Sequence, residues 1–322
     1  MKIGGRSVGV LIRDFRKSDL DELLRLLPIC NAEEFSASGF DPDHIRGMVN
    51  RLYGWRGRFL LGLMRLFGRK PFKFFVAEAD GKLVGTTIVE DRGNTSWISA
   101  VMVDPDYRRR GIAMRLMTDA LGYVRANGKK RAALGVLSTN VPAIDLYSKL
   151  GFKAFEHRGY FVGDTDSFLA PQNVSGVVIR PFRNDDLEDV YQLIVASEDA
   201  ARLKIYDFRK SNLRTPRFGG FRSASELKFV ALYDGAIVGY AETSYTTPRE
   251  VARIGFVHVN AAGRRLKVES LLVNAARSEV EKAGVYRFRI IVPMTQSELL
   301  EAVRALGFKE AFIVDGMASE LS

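Results

Sequence analysis

The sequence predicts an α/β fold, α+β in the mixed pattern of its sheet, arranged as two tandem copies of one layered domain. Three observations predict it. Strand-like and amphipathic helical segments alternate along the chain. Short motifs of the first half return in the second, two of them at one offset. A length of 322 residues with 47% hydrophobic content suffices for about two domains with cores of their own.

Each copy reads, in order, as strand, helix, basic helical insert, three strands, helix, strand, helix, strand. The first copy opens with Ile12-Arg13-Asp14-Phe15-Arg16 followed by Asp19-Leu20, which returns as Ile179-Arg180-Pro181-Phe182-Arg183 with Asp186-Leu187. Asp80-Gly81 and Asp234-Gly235 lie between β-rich runs, where a two-residue turn is expected. Val103 answers to Val259 and Gly151-Phe152 to Gly307-Phe308, both at an offset of 156 (259 − 103 and 307 − 151). A turn-rich stretch without periodicity at about residues 165 to 176 separates the copies. The expected domains are therefore 1–165 and 177–322.

The most informative junction is Val101-Met102-Val103, a strand end, running through Asp104-Pro105-Asp106-Tyr107 into Arg108-Arg109-Arg110-Gly111-Ile112-Ala113-Met114. From Ile112 the apolar residues Leu116, Met117, Ala120, Leu121 and Val124 follow at three- and four-residue spacing, so one helix face packs on a sheet. The first turn of such a helix has peptide N–H groups without intrahelical partners and the positive end of the backbone dipole. An anion there gains several hydrogen bonds. Gly111 and Ala113 keep the approach clear, and three arginines add charge suited to phosphate oxygens. A plain turn with solvated charge has the same composition. No Gly-Lys-Ser/Thr or Gly-x-Gly-x-x-Gly pattern accompanies it.

A second motif follows: Leu134-Gly135-Val136-Leu137-Ser138-Thr139-Asn140, then Ala143-Ile144-Asp145-Leu146-Tyr147 and Leu150-Gly151-Phe152. Together the two motifs resemble the signatures of the GCN5-related N-acetyltransferase (GNAT) superfamily. These are Arg/Gln-x-x-Gly-x-Gly/Ala and Asn-x-x-Ala-x-x-Leu-Tyr-x-x-x-Gly-Phe. The resemblance implies two GNAT domains, with acetyl-CoA as cosubstrate and no metal. It implies that Val101, Met102, Val103, Arg108, Arg109, Arg110, Gly111, Ile112, Ala113, Met114 and Asn140 contact the cofactor, and that the Tyr147 hydroxyl sits by the thioester sulfur. From the residues alone, Asn140 also reads as a helix N-cap before Val141-Pro142, and Tyr147 as a helix residue half-buried against the sheet.

The chemistry the resemblance implies is direct attack of an acceptor amine on the thioester in one ternary complex. A backbone N–H near Val101 or Val103, at a bulged strand, would polarise the carbonyl. A tyrosine with an ordinary pKa of about 10 is protonated at neutral pH and can donate to the leaving thiolate. Many relatives carry a Glu on the strand before the loop, but Trp97–Val103 holds none. Glu90, with Asp91 at the end of the preceding strand, is the candidate base through a water, beside its plainer reading as a strand-end carboxylate.

Laid on the offset of 156, the second copy loses this site: Gly111 becomes Lys267, Ala113 becomes Glu269 and Tyr147 becomes Val303. Glu269 places a carboxylate where a phosphate belongs, which favours capping of the helix by the protein itself. The C-terminal copy is therefore expected to be a degenerate GNAT domain that is structural or shapes the acceptor site.

Composition narrows the partners. Residues 46–73 hold Arg46, Arg51, Arg56, Arg58, Arg65, Arg69, Lys70 and Lys73 and no acid. Residues 202–222 hold Arg202, Lys204, Arg209, Lys210, Arg214, Arg217 and Arg222 against Asp207 alone. Two corresponding basic surfaces are expected, favouring an acidic or phosphate-bearing amine acceptor, and fitting nucleic acid or an anionic surface as well. The interleaved aromatics read equally as core. Cys30 is the single cysteine, and His44, His157 and His258 lack metal-ligand spacing, so no disulfide or metal centre is expected. No stretch has the length of a transmembrane span or the pattern of a signal peptide, giving a cytoplasmic expectation.

The leading reading is an acyl-CoA-dependent N-acetyltransferase acting on a primary amine of a small molecule or of a peptide or protein N-terminus. A non-catalytic nucleic-acid- or ribosome-associated module is the second. A tRNA-dependent aminoacyl transferase is the third, disfavoured by the intact diphosphate loop.

Overall fold

The computed structural model describes residues 9–30, 42–55, 57, 59, 62, 66, 72–214, 224–246 and 251–321. They form two units: Met1–Val136 with Asn140–Lys153 and Met317–Ser322, and Leu137–Thr139 with Ala154–Gly316.

In the first unit β1 (Leu11–Asp14), β2 (Phe72–Ala79), β3 (Lys82–Arg92) and β4 (Thr95–Val103) follow one another antiparallel, and β5 (Arg131–Leu137) joins β4 in parallel. The β2–β3 turn uses Asp80 and Gly81, both at positive φ (52° and 74°), the backbone demanded by a tight hairpin that follows the strand twist. Helix α1 (Leu20–Cys30) and helix α2 (Pro42–Tyr53) cover one face through Leu23, Leu26, Ile45 and Val49, packed with Phe15, Val76 and Leu83. The other face is covered by α3 (Ile112–Ala126) and α4 (Val141–Lys149). Helix α3 buries the six residues its periodicity singles out. Each fully buried leucine or isoleucine among them contributes about 1.5–3 kcal/mol.

The second unit repeats this plan with β7 (Val177–Pro181), β8 (Ala224–Tyr233), β9 (Ala236–Thr246) and β10 (Ala252–Val259) antiparallel, and β11 (Arg287–Pro293) parallel to β10. Its helices are α5 (Leu187–Ser197), α6 (Ala200–Ile205), α7 (Ala261–Arg265), α8 (Val268–Lys282) and α9 (Ser297–Ala305). Gly85 and Gly239 mark one shared close approach. A Cβ on Gly85 would lie 3.2 Å from Leu116 of α3, and one on Gly239 2.8 Å from Leu272 of α8.

The units do not coincide with the two consecutive stretches expected from the sequence. Strand β6 (Lys153–Asp164), which closes the first repeat in sequence, pairs antiparallel with β11 from Arg158 opposite Pro293 to Asp164 opposite Arg287. The tail of β12 (Lys309–Glu320) goes the other way: Met317 packs with Phe152 and Tyr147, and Leu321 N–H donates to the Lys130 carbonyl at 2.8 Å. The closing strands are exchanged. Residues 165–176 contain neither helix nor strand.

The repeated opening motif is an ion clamp. Arg13 donates to both Asp19 carboxylate oxygens at 2.7 and 2.9 Å, and Arg180 donates to both of Asp186 at 2.7 Å. The backbone N–H of Arg16 or Arg183 completes each carboxylate. No helix among the described residues is long and apolar enough to cross a membrane.

The Arg180 guanidinium and the Arg183 N–H hold the Asp186 carboxyl below the usual carboxylate range, against the opposing effect of burial. A depressed folded-state pKa contributes stability that is present above the unfolded value, about 3.9, and is lost as pH falls through the folded value. Asp186→Asn is expected to lower the unfolding free energy by about 1–3 kcal/mol at pH 7 in urea titrations, with the difference from the parent closing in acid.

Candidate functional site

The site grows from a break in β4. The antiparallel register with β3 runs from Trp97 opposite Glu90 to Ser99 opposite Ile88, then resumes at Met102 opposite Thr86. Ala100 and Val101 fall out of the ladder, and Ala100 has φ +50°. The buried Thr86 hydroxyl pins this bulge by donating to the Ala100 carbonyl at 2.8 Å. On the other side, parallel pairing with β5 stops at Ile98 opposite Leu134. Beyond Ile98, β4 has no register partner on β5.

The loop after β4 is held from behind. Asp104 N–H donates to the Val84 carbonyl, and the Asp104 carboxylate accepts from Asp106 N–H at 3.1 Å and pairs with Arg25 of α1 at 3.0 Å. Two of the three arginines fold back on the loop: Arg108 Nε donates to the Val103 carbonyl at 3.1 Å, and Arg110 donates to the Asp106 carbonyl and covers the Tyr107 ring. Cys30 also reaches Val103, its Sγ 3.5 Å from the carbonyl oxygen. Arg109 takes a left-handed backbone, φ +63°, and Gly111 another, φ +76°. Such alternation turns successive N–H groups inward as an anion-binding concavity.

Gly111 is the N-cap of α3 and supplies no capping side chain. A Cβ built on it would meet nothing within 4 Å. Ile112 is buried while Ala113 and Met114 are half-buried, and no side chain of the cap accepts from the first-turn N–H groups.

The remaining sequence-derived residues are placed unevenly. Asn140 is exposed, and its side chain accepts from Ala143 N–H at 3.3 Å, so in this structure it caps α4. Tyr147 is 5% exposed, in the cluster of Val136, Leu134, Phe152 and Met317, a deeper position than half-burial. Glu90 lies opposite Trp97, with its carboxylate 2.7 Å from Arg92. Asp91 pairs with Lys129. Thr86, Arg25 and Asp104, which hold the bulge and loop, escape a motif-based reading because none belongs to either signature.

The basic surfaces require one correction. Arg202 is not on a surface: it is buried and pairs with Glu156 at 2.9 Å and with Glu198. Arg46, Lys73, Arg209 and Lys210 are paired with Asp21, Asp14, Asp207 and Glu188. Arg56, Arg58, Arg65, Arg69, Lys70, Arg217 and Arg222 lie outside the described residues.

Residues 31–152 and 187–308 match the acetyltransferase (GNAT) family. The chain belongs to the GNAT acetyltransferases. Both repeats are GNAT domains, as the two motifs implied. The chain is 31% identical over 153 residues to an uncharacterized N-acetyltransferase of Methanocaldococcus jannaschii, an alignment covering 45% of this chain and 61% of that protein. It thus spans about three fifths of that relative's length. It is 36% identical over 142 residues to the catalytic subunit of the N-terminal acetyltransferase B complex of Arabidopsis thaliana, covering 39% of this chain and 80% of that one. A tandem GNAT protein from the clavulanic acid biosynthesis pathway has the same fold, with TM-score 0.62, 17% identity and coverage of 97% and 98%.

The second GNAT domain keeps part of the site's backbone: the left-handed N-cap recurs at Lys267, while Phe256 and Arg265 lack the positive φ of Ala100 and Arg109. Strand β10 has a similar register break, between Ile254 and Val257, and Lys267 takes the left-handed N-cap position of α8 at φ +54°. The buried Glu269 carboxylate turns back to its own backbone N–H in the first turn. Burial pushes its pKa up, helped by Glu298. What remains is a cavity of about 20 Å³ bordered by Ser197, His258, Arg264, Glu269, Gln296 and Glu298, with room for about one water. His258 is neutral there, its pKa pushed down to about 3 by burial, and its Nδ1 is 3.2 Å from Ser197 Oγ.

Removing the hydroxyl that pins the bulge leaves a buried carbonyl without its donor. Thr86→Val is expected to cost about 1–2 kcal/mol in chemical denaturation.

Proposed function

We propose that the first domain transfers an acetyl group from acetyl-CoA to a primary amine of a small molecule or of a peptide or protein N-terminus, by direct attack in a ternary complex. The observation that carries this reading is the uncapped start of α3: a left-handed glycine with open space above it, followed by N–H groups that no side chain of the cap occupies. Such a helix start suits a diphosphate, to which its amides and dipole are complementary. The backbone of Arg109–Met114 would hold it, with Arg108 and Arg110 fixing the loop and contributing positive charge.

The break in β4 supports the rest. Val101, outside both ladders, offers a backbone N–H toward the thioester oxygen and serves as the oxyanion donor. Tyr147 donates its proton to the departing thiolate. Asn140 sets the start of α4 and thereby the position of Tyr147. Glu90 accepts the amine proton through a water once Arg92 releases it. An acceptor arriving as the free amine needs less of this help.

Gly111→Glu puts a carboxylate at the mouth of the amide concavity. Calorimetric titration with acetyl-CoA is expected to show at least about a 100-fold loss of affinity, roughly 2.7 kcal/mol, with the circular dichroism spectrum unchanged. Unchanged binding overturns the reading. Tyr147→Phe is expected to lower kcat by about 100-fold with little change in KM for acetyl-CoA, measured by release of free thiol against a panel of amines and peptides.

A further inference from the structure

The second domain carries a like-charge contact that its fold does not require. In the parallel ladder of β10 with β11, Arg253 is the Cα partner of Arg289. At the same register point of the first domain, β4 and β5 set Trp97 against Ala133, an offset of 156 for both residues (253 − 97 and 289 − 133). The shared fold accepts an apolar pair there. Ladder partners project to the same face, so two guanidiniums stand side by side, and like charges in that position repel.

One carboxylate, Glu242 of β9, acts on Arg253, and it does not reach Arg289 as an ion pair. Among the described residues neither arginine forms an ion pair, whereas Arg158 and Arg202 of the same domain share Glu156. Arg289 is half-buried, and its Nε is shut off from solvent without an acceptor. Burial lowers its pKa from the ordinary guanidinium value, as does Arg253, while Tyr160 opposes this. Tyr160 stands on β6 opposite Ile291, two residues along from Arg289 and on its face. A buried donor left open in a native fold commonly marks a missing water, ion or ligand.

We propose that Arg253, Arg289 and Tyr160 form an oxyanion site in which one carboxylate or phosphate group of a small molecule bridges the two guanidiniums. The planar forks present several N–H donors to such a group, the anion removes the repulsion, and the open Nε gains its acceptor. This site stands apart from acetyl transfer in the first domain and does not depend on it.

The test uses the full chain at constant ionic strength held with sodium chloride, so that screening does not imitate binding. Inorganic phosphate and succinate are titrated while the thermal midpoint is followed. The parent is expected to show a saturable rise with one or both, phosphate alone indicating a phosphoryl ligand and succinate alone a carboxylate. Arg289→Gln and Arg253→Gln are expected to match or exceed the parent's stability in chloride and to lose the rise, while Arg265→Gln keeps it. Arg289→Lys, which keeps the charge but not the fork, is expected to bind about tenfold more weakly and replaces Arg289→Gln if that variant does not fold. A parent without a saturable response, or a rise that survives Arg289→Gln or Arg289→Lys undiminished, overturns the proposal.

Discussion

The break in β4 is the constraint from which the first domain's site follows. Two residues leave the ladder, the Thr86 hydroxyl holds the Ala100 carbonyl in place, and pairing with β5 has already stopped at Ile98. The strand end stays paired with β3 through Met102 and Val103 but not with β5, and the next eight residues connect it to α3. Asp104 and Arg25 fix the first part of that connection, and Arg108 and Arg110 the rest by donating to loop carbonyls. The arginines thus act first as struts and only then as a source of charge.

The similar break in β10 separates scaffold from site. Lys267 and Gly111 share a left-handed N-cap, so the backbone path does not depend on glycine, although a side chain there costs roughly 1 kcal/mol. The domains differ in side chains at this cap, and in backbone at the bulge and loop, where Ala100 and Arg109 are left-handed and Phe256 and Arg265 are not. Glu269 supplies from within what an anion would supply from outside, an arrangement worth about 0.3–1 kcal/mol at an exposed helix start. Burial of the carboxylate works against that gain, consistent with its raised pKa.

Much of this was legible in sequence because it rests on local periodicity. The spacing of Ile112, Leu116, Met117, Ala120, Leu121 and Val124 identifies the buried face of α3, and Asp80-Gly81 announces its turn through the backbone it needs. The returning Arg and Asp of each opening motif proved to be ion clamps. Other features were hidden because they depend on distant partners. Whether Arg202 faces solvent is decided by Glu156, 46 positions away, and the pairing of Glu90 with Arg92 has no signature of its own. The exchange of closing strands was hidden for a related reason: β6 and β12 carry similar strand character, so their sequences do not say which domain each completes.

That exchange bears on how the protein is made. The first domain includes Met317 in its core and ties Leu321 to Lys130. During vectorial synthesis its earlier segments emerge well before the residues that complete them. The cluster around Phe152 thus gains Met317 only after a further 165 residues have been made (317 − 152).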